Sequence, residues 1–163
     1  MKPLIVLLSV FFISLILNKI FTRGYKLGFS GRIAIAVMLV FTAIAHIVFT
    51  EGMAMMIPGF IPFKTELVYL TGILEIAAAF GILIPGTRLL TAWLLIAFFI
   101  LILPANIYAA LNTVDYQNAH FNGPGLSYLW FRIPLQIFFI GWTYFTAIHL
   151  DRTKEFRALN SST

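Results

Sequence analysis

Residues 66–89, ELVYLTGILEIAAAFGILIPGTRL, form an apolar run long enough to cross a bilayer, and it carries a carboxylate, Glu75, near its middle. At the helical rise of about 1.5 Å per residue, Glu75 lies about 13 Å from Glu66, close to the midplane of a hydrocarbon layer about 30 Å thick. An ionised carboxylate at that depth is costly and must face protein or water rather than lipid. Gly72, Ala78 and Ala79 share its helical face, since residues three or four apart are neighbours on a helix. Such small residues let other helices approach closely. Two readings of Glu75 stand: a carboxyl kept neutral or paired once for packing, or a group that handles a proton or a ligand.

The rest of the chain has the same character. Of 163 residues, 61% are hydrophobic, 16% aromatic and 10% charged, which exceeds the apolar content of a soluble domain and indicates an all-α integral membrane protein. The net charge of +5 gathers at the ends of apolar runs, as membrane-topology signals do, and so argues against nucleic acid as a partner. There is no cysteine, which excludes a structural disulfide and any Cys-ligated metal.

Outward from the central run, the sequence predicts five spans. Residues 3–17 form the first, read as a retained helix because basic residues follow it rather than precede it. Gly24, Gly28, Ser30 and Gly31 then mark a flexible basic loop. Residues 32–50 form the second span, with Thr42 and His46 on one face. His46 falls about one turn from its outer end and reads either as a headgroup-level residue or as a ligand. Residues 51–64 hold Pro58 and Pro62, which forbid a continuous helix. They are too apolar for a solvated loop, and suit an interfacial anchor or a lid equally well. After Pro85 and Gly86 turn the chain, residues 89–111 form the fourth span, in which Pro104 frees a carbonyl and Asn106 is placed to reach a neighbouring helix. The loop 112–127 carries Asp115 and His120. The fifth span, 128–150, places Tyr128, Arg132 and Gln136 on one stripe. Arg132 reads as snorkelling to the headgroups or as paired with a carboxylate, and we expect it to meet Glu75 directly or through Tyr128, Asn106 or a water.

Charge sets the orientation. Lys19, Arg23, Lys26, Arg32, Arg88, Arg152, Lys154 and Arg157 fall on one side, and only Lys2 and Lys64 on the other. By the positive-inside rule the N-terminus is outside and the C-terminus cytoplasmic. The chain then divides into 1–31, an N-terminal transmembrane helix and basic cytoplasmic loop; 32–150, a four-helix membrane bundle; and 151–163, a polar cytoplasmic tail. His46, Asn106, Tyr128 and Arg132 share the outer half, with Glu75 just below and Gln136 deeper, so all six are candidates to line one pocket open outward or to lipid.

The runs GILEIAAAFGILIPGTRLLTAW, LPANIYAAL and WFRIPLQ resemble the DoxX family of small bacterial membrane proteins, over residues 32–148. That resemblance implies a four-helix membrane bundle, with the first helix an addition, in a bacterial inner membrane. It matches Glu75, Arg88 and Arg132 to the family's polar pattern. It also implies association with oxidoreductase or respiratory systems, because relatives include a small subunit of a thiosulfate:quinone oxidoreductase and a partner of superoxide dismutase. The chemistry of the residues fits a site for quinone or a similar lipid-soluble molecule, since a buried carboxylate can accept a proton released by quinol oxidation. Electrons would come from a membrane or periplasmic oxidoreductase partner. Bis-histidine haem is not expected, because His46, His120 and His149 fall at different depths. The other class of function is a non-catalytic assembly or stabilising subunit, working through a larger complex or a homo-oligomer. Transport is weaker, for no inverted repeat is evident.

Overall fold

A computed structural model describes residues 2–150 of the chain; the tail 151–163 and its basic residues lie outside the described residues. The described residues are helical throughout, apart from turns and one isolated bridge between Asp115 and His120. The helices are α1 (Lys2–Thr22), α2 (Leu27–Val48), α3 (Thr50–Met55), α4 (Lys64–Gly81), α5 (Arg88–Leu101), α6 (Leu103–Leu111) and α7 (Ser127–Thr143), the last continued by a π-helical stretch, Tyr144–His149.

Three of these helices are long and apolar enough to cross a membrane: α1, α2, and α5 with α6 taken together over Arg88–Leu111. Their surfaces agree with that role. Ile20, Phe21, Ile47, Leu90 and Leu101 are among many large apolar side chains that face outward, far more than a water-soluble monomer exposes. These features fit a membrane protein.

Packing runs outward from α2, which lies against α1 on one side and α4 on the other, while α7 and its π-helical end pack on α2 and α5. The core is built from Ile35, Met38 and Leu39 of α2, Ile82, Leu95 and Phe99, Leu135 and Phe139 of α7, and Ile148. Lipid tails are as apolar as these side chains, so close packing and interhelical hydrogen bonds hold such helices together. Ser14 Oγ donates to Ser30 Oγ at 3.1 Å, and Asn18 Nδ2 to the same oxygen at 3.0 Å, joining α1 to α2.

Two expectations about the basic region are corrected. Gly28, Ser30 and Gly31 are not in a loop but buried in the first turns of α2, and the connection from α1 shrinks to residues 23–26. The reason is a close approach: a Cβ at Gly31 would overlap the side chain of Thr146 in the π-helical stretch. Trp142 Nε1 donates to the Gly31 carbonyl at 3.1 Å. Arg32, placed at the start of the second span and counted among the charges of the cytoplasmic side, is buried, with its guanidinium donating to the Thr146 carbonyl at 3.0 Å. A π-helical turn disturbs the regular backbone ladder, and the arginine bonds to a carbonyl within it.

The central run also ends earlier than the sequence suggests. α4 stops at Gly81, and residues 82–87 form a turn in which Thr87 Oγ1 donates to the Gly81 carbonyl at 2.9 Å. The first residues of the segment 51–64 are helical: α3 packs on α4, and Gly52 comes so close to the Tyr116 backbone that a Cβ would overlap it. Phe49 and Tyr116 meet edge to face at 6.0 Å, tying this end to the loop after α6. The remainder presents Phe60 and Phe63 outward, 85% and 73% exposed.

Candidate functional site

The buried residues of α4 are Val68, Gly72, Glu75 and Ala79, a spacing that places them on one stripe. This stripe packs on α2. Gly72 makes the fit, since a Cβ there would stand 3.1 Å from the Cβ of His46. The imidazole of His46 can therefore lie along α4, with its two ring nitrogens facing different groups. Nδ1 is 3.0 Å from the Val68 carbonyl and 3.0 Å from Thr71 Oγ1, while Nε2 is 3.5 Å from Glu75 Oε2.

This geometry assigns protons. The Thr71 hydroxyl donates to the Val68 carbonyl at 2.8 Å, so it has no second hydrogen for the imidazole. A bare Nδ1 would set its lone pair against a carbonyl oxygen; Nδ1 therefore carries hydrogen. The bond made by one ring nitrogen fixes the state of the other. Nε2 then faces the Glu75 carboxyl. Glu75 Oε2 is buried and has no hydrogen-bond partner among the described residues; it stands 3.5 Å from His46 Nε2. A buried acceptor without a partner is costly, and it is what a ligand hydroxyl or a water would satisfy.

A second polar group lies on α6 and α7. Arg132 Nε donates to Asn106 Oδ1 at 3.2 Å, and Asn106 Nδ2 donates to Gln136 Oε1 at 3.3 Å and to the Ile102 carbonyl at 3.2 Å. Gln136 Nε2 donates in turn to the Phe99 carbonyl. The helix break at Ile102 explains that acceptor, since the last four carbonyls of a helix lack intrahelical partners, and Phe99 is in the last turn of α5. Pro104 opens α6 on the other side of the break. The Arg132 guanidinium also lies 5.8 Å from the centroid of the Tyr128 ring, a cation–π contact.

The six predicted residues thus fall into two sets: His46 with Glu75 between α2 and α4, and Tyr128, Arg132, Asn106 and Gln136 on α6 and α7. No hydrogen bond or ion pair joins the sets among the described residues. The expected link between Glu75 and Arg132, direct or through Tyr128 or Asn106, is not found among the described residues: the ionisable group beside Glu75 is His46, and the Arg132 guanidinium meets Asn106 and Tyr128. Sequence reasoning missed Thr71 and the Val68 carbonyl, which fix the imidazole. Thr71 lies four residues before Glu75, and that spacing was the available signal. It also missed Arg32 as a buried group.

Fold and site together define an all-α protein with membrane-length helices and ionisable groups held inside them. Residues 35–147 match the family described as Domain of unknown function (DUF8561), and the chain belongs to that family. This overturns the resemblance to DoxX. The quoted motifs are small-residue helix faces, a Pro-Gly turn and buried polar residues, which any tightly packed small membrane bundle requires, and so they do not discriminate between families. No curated protein and no solved structure matches the chain.

Proposed function

We propose that this protein is a multi-pass membrane subunit that binds a lipid-soluble molecule of the quinone type at the His46–Glu75 pair and serves a membrane redox system. The observation that carries this reading is the buried Glu75 Oε2 without a hydrogen-bond partner, 3.5 Å from His46 Nε2. A hydroquinone hydroxyl would donate to that oxygen. On two-electron oxidation to the quinone, two protons leave the ring; the pair can receive one of them and water at the membrane surface the other. The electrons pass to a redox partner, a membrane or periplasmic oxidoreductase. In the full arrangement α4 and α7 also span, giving five spans with the N-terminus outside and the C-terminus in the cytoplasm of a bacterium, the bilayer being its inner membrane.

A second reading is a non-catalytic assembly subunit or homo-oligomer. It draws support from the Arg132, Asn106 and Gln136 set, whose hydrogen bonds are spent on one another and on helix carbonyls. The two readings separate in one experiment. A short-chain hydroquinone, kept reduced and titrated into the purified protein in nanodiscs, should bind, and Glu75→Leu should weaken it at least about ten-fold, the loss expected for a hydrogen bond worth about 1.4 kcal/mol. Equal binding by Glu75→Leu, or no binding at all, overturns the quinone reading and leaves the assembly role.

A further inference from the structure

Away from both polar sets, a groove of about 320 Å³ runs between α1 and the end of α7, lined by Phe11, Leu27, Phe138, Gly141, Trp142 and Phe145. Its floor is open at Gly141, where a Cβ would meet nothing within 4 Å. At one end the groove reaches Leu27, the first residue of α2, and so opens at the turn of residues 23–26. That turn is basic. Arg23 and Lys26 are exposed, and Lys19 lies beside it with its ammonium 5.3 Å from the centroid of the Tyr25 ring. No acidic residue occurs anywhere before Glu51, so nothing in α1, the turn or α2 offsets this charge.

We infer that the groove and the basic turn together form a binding site for one anionic phospholipid, with an acyl chain along the groove and the phosphate at Lys19, Arg23 and Lys26. Length supports the match: from Phe11 to the end of α1 the rise is about 16 Å, close to half the hydrocarbon thickness, which is the reach of one chain in one leaflet. Charge selects the headgroup. A zwitterionic lipid fills the groove equally well but gains little at the turn, whereas each Lys or Arg near an anionic group favours binding about five-fold.

The test is native mass spectrometry of the full chain after exchange with phosphatidylglycerol or phosphatidylcholine of the same acyl chains. The wild-type protein should retain phosphatidylglycerol at least about ten-fold better. The variant Lys19→Gln, Arg23→Gln, Lys26→Gln should bring the two lipids within about two-fold, while Lys19→Arg, Arg23→Lys, Lys26→Arg keeps the preference. Gly141→Leu places a side chain in the groove where an added Cβ meets nothing within 4 Å, and should lower retention of both lipids, its fold checked by an unchanged melting transition. Equal retention by the wild type, a preference that survives the loss of all three charges, or full retention by a folded Gly141→Leu each overturns the site.

Discussion

His46 and Glu75 stand side by side, the imidazole held at the Val68 carbonyl and the carboxyl oxygen 3.5 Å away without a hydrogen-bond partner. Their energies are therefore coupled. In a double-mutant cycle on unfolding in detergent, His46→Leu and Glu75→Leu should show a coupling of about 1–3 kcal/mol, since contacting groups in one network are not additive. A cycle of Glu75→Leu with Arg132→Met should instead be additive within about 0.5 kcal/mol, because the two residues share no partner. At Gln136 the expected change is a loss. Gln136→Leu strands the Phe99 carbonyl and one arm of Asn106, and should lower stability by about 1–3 kcal/mol, read from the same unfolding transition. That Glu75 would be buried on a stripe of small residues is legible in the sequence, because helical spacing alone places Gly72 and Ala79 beside it. Its partner is not legible. Depth along a helix follows from counting residues, but which flank of α4 meets α2 depends on helix rotation, and that is decided by the approach at Gly72.

At the scale of elements, the sequence shows apolar runs well and their ends poorly. Glycines that read as a loop before α2 prove to be contact points, because a glycine that permits a turn and one that permits a helix to touch its neighbour look alike in one dimension. Gly31→Ala tests this. It should destabilise the bundle by about 1–3 kcal/mol through overpacking against Thr146, and Thr146→Ala in the same chain should recover part of the loss. The turn after α6 carries a different signature. Asp115 accepts from the Asn118 side chain at 2.8 Å and from the Gln117 backbone amide at 3.0 Å, and these bonds hold its carboxyl below the usual carboxylate range. A lowered folded value stabilises the turn above the unfolded value, about 3.9, and that contribution is lost as the pH falls through the folded one. Protection of the Gln117 and Asn118 amides against hydrogen exchange should thus persist through pH 4 and fail only in stronger acid.

At the scale of the whole molecule, outward-facing apolar residues surround a buried Glu75 and a buried Arg32, with His46 and Arg132 half-buried. Absence of native cysteine makes topology directly measurable, because each introduced thiol is unique. With five spans, a cysteine at Lys26 should be labelled from the cytoplasmic side, and cysteines at Gly59 and Asn122 from the opposite side. Labelling of all three from one face would refute that arrangement. Arg32 does not count toward this orientation in the way its sequence position suggests, since it is held inside the bundle at the Thr146 carbonyl; the basic turn of residues 23–26 carries the signal without it.

The π-helical stretch Tyr144–His149 amounts to a helix with one residue more than its length requires. Such an insertion rotates everything after it by about 100° relative to an unbroken α-helix. One face of α7 holds Arg132 and Gln136 against α6, while Thr146, inside the stretch, meets Gly31 and Arg32. Deleting a single residue inside the stretch would leave a more regular helix and still turn Thr146 out of register with α2.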